Sequence, residues 1–94
     1  MDRRVRIEEK LRESFAASYV LVVDESHHHV GHAGVRDGGG HFRAVVVSER
    51  FEGKLLVERQ RLVYAVLAEE MGNDIHALSM QTLTPAQWAE QRPQ

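Results

Sequence analysis

The sequence predicts an α+β fold in the order α-β-β-α-β-α, a three-stranded mixed sheet with helices packed on one face. Three observations predict it. Two segments repeat apolar residues with helical spacing, three short runs are β-branched or alternating, and one long glycine-rich link without helical period joins the first two runs. A link of that kind suits an antiparallel pair, and one layer of helices on one sheet is the economical way to bury the apolar faces of so short a chain.

The elements follow in order. Ile7, Leu11 and Phe15 recur every four residues among Arg, Glu and Lys, which predicts an amphipathic helix over about residues 3–16. Tyr19 to Val23 are largely β-branched or aromatic and predict a strand that Asp24, Glu25 and Ser26 end. His27 to Gly40 holds five of the chain's seven glycines and reads as a long loop, a length often tied to function. A second strand is expected from His41 to Ser48 and a turn over RFEGK, with Gly53 as its punctuation. Leu55, Leu62, Val63, Val66, Leu67 and Met71 form a helical stripe with Gly72-Asn73 as its stop. IHALSMQTL reads as a third strand, and Thr84 caps a short helix that has Pro85 at its first position.

The totals exclude several classes. Ninety-four residues suffice for one domain, so 1–94 is read as a single unit, with its tail at about 90–94 a candidate disordered end. A net charge of −2 argues against a strongly basic nucleic-acid binder. No apolar run approaches the roughly 20 residues that span a bilayer, and the start MDRRVRIEEKLRESF lacks the apolar core of a secretory signal. No membrane partner and a cytoplasmic location are therefore expected. With no cysteine there is no disulfide framework and no thiolate ligand. Five of the six histidines nevertheless fall between Val22 and Phe42, so the glycine-rich segment reads either as a solvated polar loop or as a candidate metal-binding loop.

VVDESHHHVGHAG, HFRAVVVSERFEGKLLVERQRLVYAVLAEEM and IHALSMQTLTPAQW resemble, in order, the signature blocks of the BolA family. The similarity runs from about Val20 to Trp88. It implies the BolA-like fold, related to the class II KH domain, and a partnership with a monothiol glutaredoxin in which the two proteins share a 2Fe-2S cluster. In that arrangement the glutaredoxin brings its active-site thiolate and a bound glutathione. The family's strand histidine maps onto His76, and its loop histidine, counted back from the HF pair, onto His32. His29 and His41 are reserve ligands, and the chain resembles the histidine-loop type of the family. Where many members carry Arg-His-Arg, this chain has Arg59-Gln60-Arg61, so no helix histidine is carried over.

Imidazoles can replace thiolates on an iron–sulfur cluster. Such a site is pH-sensitive, because the ring must lose its proton to bind. Phe51, Gly53, Lys54, Arg59 and Arg61 are the expected partner-binding residues, although Arg59 and Arg61, two apart, do not share a helix face. The alternative is a KH-like nucleic-acid-binding transcriptional regulator of morphology or stress response, with DNA as partner. Gly31-His32-Ala33-Gly34 matches the KH clamp's string but lies between two strands rather than between helices. Asp24, Glu25 and Ser26 beside the histidines have no triad spacing, so no enzyme is expected. Alone, the chain is expected to be a monomer or a weak homodimer.

Overall fold

The computed structural model describes residues 2–26 and 40–91. The elements run α1 (Arg3–Phe15), β1 (Tyr19–Asp24), β2 (Gly40–Val47), a 3-10 turn (Glu49–Phe51), α2 (Leu56–Val66), β3 (Ile75–Leu83) and α3 (Pro85–Gln91). The expected order is realised. The sheet is mixed, in spatial order β1-β2-β3, with β1 antiparallel and β3 parallel to the central β2. The parallel pair needs a crossover, and α2 supplies it.

α1 forms because its stripe is complete and both ends are satisfied. The Asp2 carboxylate accepts from the Arg4 amide at 2.8 Å, and Ala16 closes the helix in the left-handed region at φ 46°. Ile7, Leu11 and Phe15 are all buried, and with Val20, Val22, Phe42, Ala44, Val46, Phe51, Val63, Leu67 and Ile75 they make one core between the helices and the sheet. α1 and α2 cover this face. The run Ala44–Val47 is apolar at consecutive positions, so β2 is buried on both sides. On the far side Val45, Val47 and Leu83 pack against Trp88 of α3, whose indole stacks on Tyr19 at 4.8 Å between ring centres. The short last helix thus packs on part of the opposite face of the sheet, so the expectation that all the helices lie on one face does not hold for α3.

Three expected boundaries move. The long helix stops at Val66 rather than Met71; residues 67–70 are turns in which the Glu70 amide bonds Leu67 at 2.9 Å. Apolar spacing continued past Val66 because Leu67 and Met71 still face the core, not because the backbone stays helical. Part of the expected RFEGK turn is a 3-10 helix, capped by the buried Ser48, whose hydroxyl accepts from the Arg50 amide at 3.0 Å and donates to the Phe15 carbonyl at 2.6 Å. α3 runs to Gln91, into the segment expected to be a loose tail. Among the described residues no helix is long and apolar enough to cross a membrane.

One polar clamp ties α1 to the end of the crossover. Lys10 Nζ donates to both carboxylate oxygens of Glu70 at 3.0 Å and to Glu69 at 3.1 Å, and the Glu70 side chain is buried. The hydrogen bond to Glu70, then that to Glu69, raises the Lys10 pKa above its ordinary 10.5. A raised folded pKa contributes stability that is fully present below 10.5 and is lost as pH rises through the folded value. Thermal unfolding followed from neutral pH to above 10.5 is therefore expected to show a steeper alkaline loss for the native chain than for Lys10→Met. Parallel curves for the two proteins would remove the clamp's contribution.

Candidate histidine rim

β2 begins where the chain returns to the sheet, and the sequence there leaves no room for a side chain. A Cβ on Gly40 would meet the Phe42 ring at 2.6 Å, Ser26 Oγ at 2.8 Å and the Arg3 guanidinium at 3.0 Å. The Gly40 amide donates to the Asp74 carbonyl at 2.9 Å, and the His41 amide donates to Ser26 Oγ at 3.0 Å. The Glu25 amide in turn donates to the His41 carbonyl at 2.7 Å. Segment 27–39 leaves and rejoins the sheet at this corner.

The pairing of β2 with β3 slips at the same place. Gly40 lies opposite Ile75, but His41 lies opposite Ala77. His76 is the extra residue of a bulge, and a bulge re-aims the side chain it carries. Ile75 beside it is buried, which anchors the strand, while His76 is exposed. Its ring lies 5.4 Å from the half-buried His41 ring, centre to centre, at 35° between planes. Charged pairs frame the rim: Arg43 with Glu25 at 3.2 Å, Arg6 with Asp74 at 3.1 Å, and Arg3 with Asp24 at 3.9 Å.

Of the candidate ligands, His76 and the reserve His41 are thus brought together. His32 and His29 lie outside the described residues. Among the described residues no group of three or more His, Asp or Glu side chains could hold a metal ion.

The expected docking residues divide. Lys54 and Arg61 are exposed, and Gly53 turns the chain at φ +75°, a conformation that favours glycine. Phe51 and Arg59 are corrected to interior residues. Phe51 is 0% exposed, with its ring centre 5.0 Å from that of Phe15. Arg59 is 7% exposed; its Nε donates to the Lys54 carbonyl at 3.1 Å, and Nη1 donates to the Thr82 carbonyl at 2.9 Å and Gln87 Oε1 at 2.8 Å. Its guanidinium also lies 5.8 Å from the Phe51 ring centre, so the cation is consumed in joining α2, β3 and α3. Sequence reasoning passed over an exposed apolar group instead: Leu55, Leu56, Val57, Leu62 and Tyr64. The consecutive Leu-Leu-Val was its signal, since one buried stripe cannot use three successive helix positions.

The structure is a small α+β domain that brings two histidine rings together at one corner of its sheet. The BolA-like protein family model matches residues 11–87, so the chain belongs to the BolA family. It is 45% identical over 85 residues to the DNA-binding transcriptional regulator BolA of Escherichia coli, covering 90% of this chain and 78% of that one. It is 46% identical over 84 residues to human BolA-like protein 1, covering 89% of this chain and 59% of that longer relative. Among solved structures, BolA1 from Arabidopsis thaliana superposes with a TM-score of 0.79 at 39% identity, covering 92% of this chain and 95% of that one. A Babesia bovis homologue gives 0.78 at 39% identity, over 98% and 96%.

Two substitutions separate framework from surface. Arg59→Ala strands the Thr82 carbonyl and is expected to cost about 2–4 kcal/mol in chemical denaturation, whereas Arg61→Ala is expected to stay within about 0.5 kcal/mol. Equal, small effects would return Arg59 to the surface. Gly40→Ala is expected to cost about 1–3 kcal/mol by overpacking the corner, read as a lower denaturation midpoint.

Proposed function

We propose that this protein is a non-catalytic partner of a monothiol glutaredoxin and helps to hold a 2Fe-2S cluster for delivery or sensing. The observation that carries the reading is the bulge that turns His76 outward beside His41, at the corner where segment 27–39 departs. His76 is the fixed ligand. The second imidazole comes from His32 in that segment, with His29 and His41 as the reserves. The glutaredoxin thiolate and its glutathione complete the set. Neutral imidazoles in place of thiolates raise a cluster's potential, and they leave when protonated, which suits a cluster that is passed on.

Docking in this reading uses Lys54 and Arg61 together with the exposed Leu56, Val57 and Tyr64, rather than the interior Phe51 and Arg59. The chain's own net charge of −2 weighs against DNA as principal partner. The E. coli relative is named a DNA-binding transcriptional regulator, which keeps DNA as the second reading.

Anaerobic reconstitution with a monothiol glutaredoxin and glutathione, followed by visible circular dichroism, tests the first reading. A mixed complex is expected to differ from the glutaredoxin homodimer. His76→Ala, an exposed position, is expected to abolish that difference without lowering thermal stability. A His76→Ala spectrum identical to that of the native complex would sink the ligand assignment. For the second reading, DNA affinity that vanishes near physiological salt would leave only non-specific contact.

A further inference from the structure

Among the described residues β3 has a strand neighbour on one side only, because it ends the sheet. Natural sheets guard such an edge with charges, proline, bulges or brevity, since its outward N–H and C=O groups template a further strand. β3 is nine residues long; apart from the bulge at His76 that opens it, its stretch from His76 to Gln81, with sequence HALSMQ, contains no Asp, Glu, Lys, Arg, Pro or Gly. Every residue of that stretch is exposed or half-buried, and burial resumes at Thr82. The closure has a visible cause. The Leu83 carbonyl turns inward and accepts from the Ser48 amide at 2.9 Å, whereas the Thr82 carbonyl faces the other way and accepts from Arg59 at 2.9 Å. Alternation along a strand then aims the peptide groups of Met80 and Leu78 outward as well. The other edge, β1, is shorter and ends in Asp24, paired with Arg3.

Above the open edge lies an apolar ledge. Leu55, Arg59, Leu62 and Val66 are spaced i, i+4, i+7 and i+11, so they share one stripe of α2 and its cap. Arg59 in that stripe reaches β3, which places its neighbours alongside the same strand. Val66 packs on the core, but Leu55 is 69% exposed and Leu62 38% exposed. The edge and the ledge together offer backbone hydrogen bonding below and apolar surface above, the two components of strand addition.

We propose that a second copy of this chain adds its own β3 antiparallel to His76–Gln81, joining the two sheets into one, with the two Leu55–Leu62 ledges covering the seam. The uncharged edge selects a copy of itself. Related by a two-fold axis, it sets no like charges in opposition, and the two apolar ledges meet. The proposal stands independently of the cluster reading. It carries one consequence for it: the paired strand begins at His76, so self-association and engagement of that imidazole by a partner compete.

Sedimentation equilibrium of the full chain from micromolar to millimolar concentration, with amide hydrogen exchange across the same range, tests this. The native chain is expected to move from monomer to dimer as exchange slows at Leu78 and Met80. Ser79→Lys, at an exposed position near the two-fold axis, places like charges together and is expected to weaken the dimer by about tenfold or more, with an unchanged far-ultraviolet spectrum. Exchange at Leu78 and Met80 that is independent of concentration overturns the proposal, whatever the variant's folding. So does a dimer that Ser79→Lys leaves intact. Protection of these amides by added single-stranded DNA, with the chain still monomeric, would assign the edge to nucleic acid and overturn it equally.

Discussion

The return of the chain to the sheet at Gly40 constrains the rest of the molecule. β2 is the central strand, buried on both faces from Ala44 to Val47, and it can enter only where Phe42, Ser26 and Arg3 leave space for a backbone without a side chain. That entry fixes the first pairing, Gly40 with Ile75, while the next pairing, His41 with Ala77, holds the sheet's regular register. The mismatch of one residue between them must be absorbed somewhere. It falls on His76, because Ile75 is locked in the core and the strand beyond Ala77 is held in register by β2. An outward imidazole at a fixed place is thus a by-product of packing two strands of unequal count.

Much of the scaffold was legible in the residues. The stripe Ile7–Leu11–Phe15, the β-branched runs and the Thr84-Pro85 start announced α1, the strands and α3 through local periodicity alone. The apolar run Ala44–Val47 also carried a message, that both faces of β2 are covered, and Trp88 is what covers the second. The end of α2 was not legible, because Leu67 and Met71 continue an apolar rhythm that turns can satisfy as well as a helix can. Side-chain period reports which way a residue faces, not which hydrogen-bond ladder its backbone joins.

The site was legible in part, and the failures share a cause. His76 was placed by the likeness of its block to the BolA family, but the bulge that exposes it depends on a register between strands far apart in sequence. Arg59 looked like a surface cation because arginine is rarely buried without a carboxylate. Its burial is tolerated here because three oxygen acceptors, from Lys54, Thr82 and Gln87, converge from three different elements. No window of sequence contains that convergence. The same holds for Phe51, whose turn-like neighbourhood hides a buried ring tilted against that of Phe15.

Arg59 also explains how α2 can serve two surfaces at once. By spending its charge on Thr82 and Gln87, it fixes the helix against β3 and α3 and leaves the outer positions free of structural duty. Val57, Arg61 and Tyr64 then face solvent on one side of the helix, and Leu55 and Leu62 overlook the sheet edge on another. The buried Arg59, Val63 and Leu67 and the Glu58 carboxylate that accepts from the Leu55 amide hold α2 in place, while Leu55, Leu56, Val57, Leu62 and Tyr64 remain exposed. Exposed apolar surface of this kind is where the proposed partners would sit. The geometry offers two distinct faces for this: one beside the cations Lys54 and Arg61, the other beside an uncharged strand. A charged partner suits the first and a strand suits the second, and the single buried guanidinium between them keeps the two faces rigidly apart.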